Sequence, residues 1–472
     1  MLQAISLTIA ILGCLMIFPA LADFMAGNPD WIVFTVSASV NLFVGGAIWL
    51  AMRRHDPDMD RREIFIFVPT VWLLSSLASA MPFYLSGLDV SFTDAMFESV
   101  SGLTTTGSTV LSNLDSLPPG ILLWRSLTQW IGGLGVVVMG MVLLPSMRSG
   151  GQQLFQLESS DKGEKPFARS HVFTERIAIL YLAVTTLCAI TYLLLGMDPF
   201  DAFNHAMTTV STGGFSTSDL SMGLYGTTGM LLASTFFMAV GGLPFIFLIR
   251  LSAGRFEWDI QITYYLVIVL SAALLVLINM PEGAFDTPAH RVATALFNVT
   301  SIITTTGYAS QDYLMWGPAA IAIFFFLTFA GGCAGSTAGG FKQFRFVVIH
   351  QIIVNRLRQT IRPHQMEQMK YGQRLLDPQI ASSVVTFSFL YTGTFIVFAL
   401  IYGLLGLEFD TAISASATAL ANVGPGITEA IGPAGNFAGL SDAIKQMLCF
   451  EMIVGRLEIM SVYVMLVPGF WR

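Results

Sequence analysis

Ten stretches of this chain stay apolar for about the 20 residues that a helix needs to cross a bilayer, at residues 3–22, 31–52, 64–86, 120–146, 174–196, 226–250, 260–281, 315–354, 379–403 and 440–469. Few folds are open to such a chain, because hydrocarbon admits only backbone that satisfies its own hydrogen bonds or lines protein or water. Composition points the same way. With 54% hydrophobic and 11% charged residues and a mean hydropathy of +0.69, the chain has too little charge to cover a soluble globule. We expect an all-α integral membrane protein with ten spans. The first run ends in Ala20, Leu21 and Ala22, as a signal-peptidase site does, but it has no basic segment before it and is long for a cleaved signal. It reads as a retained helix.

The basic residues orient the spans. Arg53, Arg54, Arg61 and Arg62, the segment from Arg148 to Arg176, Arg250 and Arg255, and the segment from Lys342 to Arg374 all fall in alternate loops, which the positive-inside rule makes cytoplasmic. Of the 23 basic residues only Arg125, Arg291 and Lys445 then lie outside, and Arg456 within the last run. Acids such as Asp89, Asp94, Asp115, Asp201 and Asp219 gather on the other side. An electronegative outer face concentrates cations. The four cysteines lie in or beside apolar runs without ligand spacing, which suggests neither disulfides nor a metal site.

An internal repeat then organises the chain. DAMFESVSGLTTTGST from Asp94, DAFNHAMTTVSTGGFS from Asp201, TALFNVTSIITTTGYA from Thr294 and TAISASATALANVGPG from Thr411 align without a gap, with Gly107, Gly214, Gly307 and Gly424 in one column. Each copy sits between two spans. The predicted unit is a helix, a short amphipathic helix, a polar turn and a helix. The expected division is a two-helix hairpin over 1–55 and repeats over 56–150, 170–252, 258–358 and 375–472.

The helical part of each copy, as in Ala95 to Thr104, is only about 15 Å long, too short to span. Four such ends on a common axis would make a wet pit with helix C-termini turned into it, favouring a cation. To pass a dehydrated monovalent ion, a pore replaces its waters with oxygens, and extended backbone with its carbonyls on one side does so. Glycine takes the left-handed conformations this requires, and Thr104, Thr105, Thr106, Ser211, Thr212, Thr304, Thr305 and Thr306 add hydroxyls. The competing reading is close helix packing through small residues; four gap-free copies favour the filter.

TTTGST, STGGFS, TTTGYA and NVGPG in that order, with WRSLTQWIGGLGVVV after the first and AGGCAGSTAGGFKQFR after the third, resemble the Trk/Ktr/HKT superfamily of potassium transporters, and within it the TrkH type, over residues 60–472. The resemblance implies four pseudo-fourfold repeats around one central pore. It implies a selectivity filter that binds K+ through Thr105, Thr106, Gly107, Thr212, Gly213, Gly214, Thr305, Thr306, Gly307, Asn422, Val423 and Gly424. It also implies homodimers, a cytoplasmic nucleotide-binding RCK subunit of the TrkA kind, and residence in a bacterial cytoplasmic (inner) membrane with the filter on the outer side. Some sodium-selective plant relatives carry serine at the first filter glycine; Gly107 favours potassium. K+ is then cargo, and neither an organic cofactor nor a nucleic-acid partner is expected. A Na+- or H+-coupled symporter, or a poorly selective cation channel, remains open on the same scaffold.

Residues 330–340, AGGCAGSTAGG, hold five glycines within the run 315–354, and each costs a helix about 1 kcal/mol relative to alanine. The helix is expected to break there. A kink filled by neighbouring helices is one account; the family resemblance implies a mobile gate formed by Gly331, Gly332, Gly335, Ser336, Thr337, Gly339 and Gly340. Arg456, read as sitting about 24 Å into the last span, needs a partner there. Glu451 and Glu458 on its own helix point elsewhere, so it is expected to latch the loop through its carbonyls, the alternative being a glutamate on another helix. Glu98, His205 and Asn298 occupy equivalent places in three repeats, Glu98 more as a buttress behind the filter than as a cation trap. The polar segments 147–170 and 355–374 are read as solvated loops in contact with anionic lipid or, by the resemblance, as the docking surface for the RCK ring. No span carries a protease pair or an HExxH motif, so no enzyme is expected. Four parallel repeats also disfavour the inverted repeats of an alternating-access transporter.

Overall fold

The computed structural model describes residues 1–53, 60–142, 166–281, 285, 287–363, 369–372 and 374–472. Its helices are α1 (Leu2–Leu15), α2 (Ile17–Ala26), α3 (Trp31–Met52), α4 (Arg61–Leu85), α5 (Phe92–Leu103), α6 (Pro119–Val142), α7 (Pro166–Leu194), α8 (Pro199–Val210), α9 (Thr228–Gly241), α10 (Phe245–Ser252), α11 (Ile260–Asn279), α12 (Pro288–Ile303), α13 (Pro318–Ala330), α14 (Gln343–Ile361), α15 (Pro378–Leu404), α16 (Phe409–Ala421), α17 (Asp442–Arg456) and α18 (Met460–Tyr463). Lys370–Tyr371 and Arg374–Leu375 form a small antiparallel ladder.

Seven helical segments among the described residues are long and apolar enough to cross a membrane, or eight if one bent pair counts as a span. Ten were expected from the apolar runs, and the shortfall has local causes. The run 226–250 is not one rod: α9 and α10 meet at 101°, because Pro244 lacks an amide and clashes with the turn before it. The run 315–354 is interrupted between Ala330 and Gln343. The run 440–469 stops at Arg456, after which Glu458 and Ile459 take positive φ of 59° and 22°. The first run still counts as one span, Leu2–Ala26, although Pro19 removes the bond to Leu15 and α1 ends at that residue.

The N-terminal helices pack closely through glycine. A Cβ on Gly45 would stand 2.7 Å from Ser6 O, and one on Gly13 would stand 3.0 Å from Ala38 O, so α1 and α3 approach backbone to backbone. Asp23, buried in α2, accepts from Gly120 N at 2.6 Å in the first turn of α6, which ties this hairpin to the rest.

Four short helices, α5, α8, α12 and α16, have 12, 12, 16 and 13 residues. At 1.5 Å per residue they reach about 18 to 24 Å, and nearly every residue of their C-terminal halves is buried. Their starts are encoded locally. Ser91 and Asp94 form a capping box on α5, and Pro199 and Pro288 occupy first-turn positions on α8 and α12. Three of them, α5, α8 and α16, are followed by a longer helix whose glycine receives the end: a Cβ on Gly132, Gly241 or Gly455 would run into the carbonyl of Leu103, Val210 or Leu420.

Candidate functional site

The four short helices end in the same way. Thr106 N donates to Ser101 O and Thr105 N to Gly102 O, each at 2.9 Å, and the same pair of bonds closes the other three from Gly213 and Thr212, Thr306 and Thr305, and Val423 and Asn422. This is the Schellman termination, which needs a left-handed residue just past the helix. Here that residue is Thr105, Thr212, Thr305 or Asn422, with φ of 51°, 53°, 58° and 56°. A β-branched residue held at positive φ is a real outlier, and such strain persists only where its surroundings over-determine it. Sequence reasoning assigned left-handed backbone to the glycine column alone and missed this second column. The Schellman bonds also satisfy several of the final helical carbonyls.

Two residues further on, Gly107, Gly214, Gly307 and Gly424 have φ of 86°, 81°, 82° and 97°. Left-handed residues thus alternate with right-handed or extended ones along each turn, the arrangement that aims successive carbonyls to one side. The glycines also face one another's turns in cyclic order. A Cβ on Gly107 would overlap Gly213 O, one on Gly214 would overlap Thr306 O, one on Gly307 would overlap Val423 O, and one on Gly424 would come within 2.9 Å of Thr106 O. The contacts return to where they began. The four glycines line the floor of an open cavity of ≈ 300 Å³ whose walls include Asp219, Asn436 and Pro425.

Behind each turn stands a polar support. Glu98 accepts from Thr109 Oγ1 at 2.9 Å, from Val110 N at 3.1 Å and from Arg125 Nε at 2.7 Å. Arg125 reaches across to Ser216 O at 2.7 Å and lies 4.1 Å above the Phe215 ring, so it joins the first turn to the second. His205 Nε2 lies 3.0 Å from Ser216 Oγ. Asn298 Nδ2 donates to Ser310 Oγ at 2.7 Å, and Ser310 N donates back to Asn298 Oδ1 at 3.3 Å. Ala415 holds the fourth equivalent place, and Ser414 beside it accepts from Ile427 N at 2.8 Å. Asn422 Nδ2 links the fourth turn to the first by donating to Thr106 Oγ1 at 2.9 Å. Glu98 and Arg125 are each 1% exposed, a pairing that apolar surroundings make costly to break.

The segment between α13 and α14 lies against these turns. Gly331 and Gly340 have positive φ of 70° and 74°, and they form its neck, where a Cβ on either would come within 3.0 Å of the other's Cα. A Cβ on Gly332 would reach Gly242 O at 3.2 Å and Ser336 Oγ at 3.3 Å. Cys333 N donates to Gly242 O at 2.9 Å, Phe245 N to Gly335 O at 2.9 Å, and Ser336 Oγ to Cys333 O at 2.7 Å. Thr337 Oγ1 donates to Gly241 O at 3.0 Å and accepts from Thr212 Oγ1 at 3.1 Å. Gly339 N donates to Thr305 Oγ1 at 2.8 Å, and its Cβ would meet Asn422 Cβ at 3.2 Å. Three of the four left-handed residues thus touch the loop.

Arg456 Nη2 donates to Thr337 O at 2.8 Å, while its Nε and Nη1 have no partner among the described residues. It terminates α17 instead of standing inside a continuous span, and Glu458 does not share its helix face. Glu458 has left the helix to meet Lys342 at 3.1 Å and Arg345, which also stacks 3.6 Å above Phe387. Glu451 accepts from Tyr402 Oη and Ser416 Oγ, both at 2.7 Å. The space between Arg456, Lys342, Glu458 and Gly335 amounts to only ≈ 30 Å³. Sequence reading overlooked the Lys342, Arg345 and Glu458 cluster, because it took Glu458 as part of the last span's helix.

The chain matches the TrkH family profile, described as a cation transport protein, over residues 32–258 and 247–470. The chain belongs to the TrkH family. It is 41% identical to the "Trk system potassium uptake protein TrkI" of Halomonas elongata, over 100% of this chain and 96% of that protein. It is 32% identical to the "Trk system potassium uptake protein TrkH" of Vibrio parahaemolyticus, over 100% and 99%. The crystal structure of the potassium transporter TrkH from Vibrio parahaemolyticus superimposes with a TM-score of 0.90 at 31% identity, covering 100% of this chain and 99% of that one. TrkH-family membership makes this a multi-pass membrane transporter and not an enzyme. Among the described residues of this TrkH-family chain no group of three or more His, Cys, Asp or Glu is placed to hold a metal ion. Of the polar segments singled out in the sequence, 147–165, 364–368 and 373 lie outside the described residues.

Proposed function

We propose that this chain takes up potassium through a single gated pore, its four repeats set pseudo-fourfold around one axis behind the N-terminal hairpin. The observation that carries this reading is the cycle of four left-handed glycines, each set against the carbonyl that precedes the next one. Such a ring offers dehydrated K+ a set of backbone oxygens in place of water. The names of the relatives support potassium as the cargo. The filter consists of Thr105, Thr106 and Gly107, Thr212, Gly213 and Gly214, Thr305, Thr306 and Gly307, and Asn422, Val423 and Gly424. Its wide cavity faces outward, and the loop 330–340 with Arg456 is the gate beneath it. The contrast between ≈ 300 Å³ above the glycines and ≈ 30 Å³ beside Arg456 supports a closed state.

Arg456 contributes in two ways: it fastens Thr337, and its fixed charge opposes a resting cation. The chain works in a bacterial cytoplasmic membrane as a homodimer with its basic loops inside, where an RCK subunit of the TrkA kind docks and controls the gate. The test is potassium-limited growth and tracer uptake in cells lacking their own importers, with that subunit co-expressed. Rescue by the wild type, relaxation toward Na+ in Gly107→Ser and leak on deletion of 330–340 are expected. Absence of rescue overturns the reading, and uptake that requires Na+ or a proton gradient replaces the channel with a symporter.

A further inference from the structure

The position just before each signature glycine is occupied unequally. Thr106 and Thr306 fill it in the first and third turns, and their hydroxyls bond those of Thr104 at 2.7 Å and Thr304 at 2.8 Å. Val423 fills it in the fourth. Gly213 leaves it without a side chain, and the space is taken from another part of the chain: a Cβ on Gly213 would collide with Cδ and Oε1 of Gln129 and stand 2.9 Å from its Cγ.

Gln129 comes from α6, three residues before Gly132. At the same distance before the matching glycines Gly241 and Gly455 stand Met238 and Met452, and all three side chains are fully buried. A primary amide at a place otherwise given to methionine must find its hydrogen bonds there. It finds both on the second turn: Nε2 donates to Gly213 O at 2.6 Å, and Oε1 accepts from Phe215 N at 2.9 Å. The two bonds bracket Gly214 and fix the amide's orientation, since the donor and acceptor ends are both used.

Gly213 and Gly214 are adjacent residues with no side chain, so the peptide between them has the weakest local restraint of any in the four turns. Its carbonyl is also the one that abuts Gly107 in the cycle. Turned away, it would withdraw one oxygen from the ring. The number and field of the ring's carbonyl oxygens is one of the two accounts of how such a filter tells K+ from Na+.

We propose that Gln129 is a specificity-determining positioning residue, whose carboxamide replaces the side chain missing at Gly213 and holds the Gly213 carbonyl in the ring. The proposal rests on the pore reading above. The matching register supplies a compensating variant. Ser211 stands where Thr104 and Thr304 stand, so a threonine at 213 has a hydroxyl to pair with once the glutamine is gone.

The experiment is competitive Rb+ and Na+ uptake into liposomes holding the purified full chain. Gln129→Met is expected to lower the Rb+ preference by roughly tenfold, the scale of losing one or two ordinary hydrogen bonds. Gly213→Thr alone is expected to lose uptake through collision with Gln129, and Gln129→Ala with Gly213→Thr together to return the preference to within about threefold of wild type, roughly half a tenfold step. A wild-type ratio in Gln129→Met overturns the proposal. So does a double variant that is unselective or unfolded, since the register predicts that it fits. A wild-type protein that moves no Rb+ even with its RCK subunit added defeats instead the pore reading itself.

Discussion

Alanine at each of the four signature glycines makes a graded test of the ring. All four have φ between 81° and 97°, and an L-residue held there costs about 1–2 kcal/mol. The second contribution differs between them. At Gly107, Gly214 and Gly307 the new Cβ overlaps a neighbouring carbonyl oxygen, whereas at Gly424 it reaches Thr106 O at 2.9 Å. Overlap with fixed backbone forces a shift worth a further ~1–3 kcal/mol. Because the atom that must yield is a ring carbonyl, the strain falls on the proposed ion path. Gly424→Ala is therefore expected to keep the most uptake, with Gly107→Ala, Gly214→Ala and Gly307→Ala lower by roughly five- to a hundredfold. The assay is the initial rate of Rb+ tracer uptake at matched protein level in the membrane. Equal rates in all four, or Gly424→Ala as the most damaged, would refute the cyclic reasoning.

Three further outcomes follow from the contacts. Arg456→Ala removes the bond to Thr337 O, and resting uptake without a regulatory partner is expected to rise; an unchanged resting rate counts against the latch. Glu98→Gln leaves Arg125 buried without a full counter-charge and is expected to lower stability by about 3–5 kcal/mol, whereas replacing both by leucine costs less, which thermal unfolding in detergent reads directly. The Asp94 carboxyl, which burial raises but the bonds from Lys445 and Ser91 bring below its ordinary value of 3.8, binds its proton less readily when folded. Its contribution is complete above that value and is lost as pH falls below it, so the gap in unfolding temperature between wild type and Asp94→Asn should be full at pH 7 and close in acid.

The helices were legible where periodicity and apolar length carried them, and the breaks only where glycine or proline announced them. Residues 331–342 interrupt their run as five glycines foretold. Pro19 and Pro244 offered the same signal, hidden within runs that hydropathy alone joined. The end of α17 had none: Leu457, Glu458 and Ile459 are ordinary helix residues, and what ends the helix is the attraction of Glu458 to Lys342 and Arg345, more than a hundred positions away in sequence. The signature glycines were readable because glycine marks positive φ. The threonines at the other left-handed column were not, because their conformation is imposed by the Schellman bonds and not by residue type; Asn422, whose type does tolerate positive φ, was the one usable signal there. Gln129 escaped notice for a similar reason, since its meaning depends on a side chain absent from Gly213.

The seam of the cycle has a bearing on how the chain is made. Ser108 Oγ bonds Gly424 O at 3.0 Å across 316 positions, so the first turn finds its last neighbour only after nearly the whole polypeptide exists. Until α16 arrives, Thr106 lacks the amide of Asn422 and the mouth is open on one side. The order of synthesis thus leaves the first turn waiting for the last, and a nascent chain stopped before Glu408 would hold three of the four turns and leave the cycle unclosed.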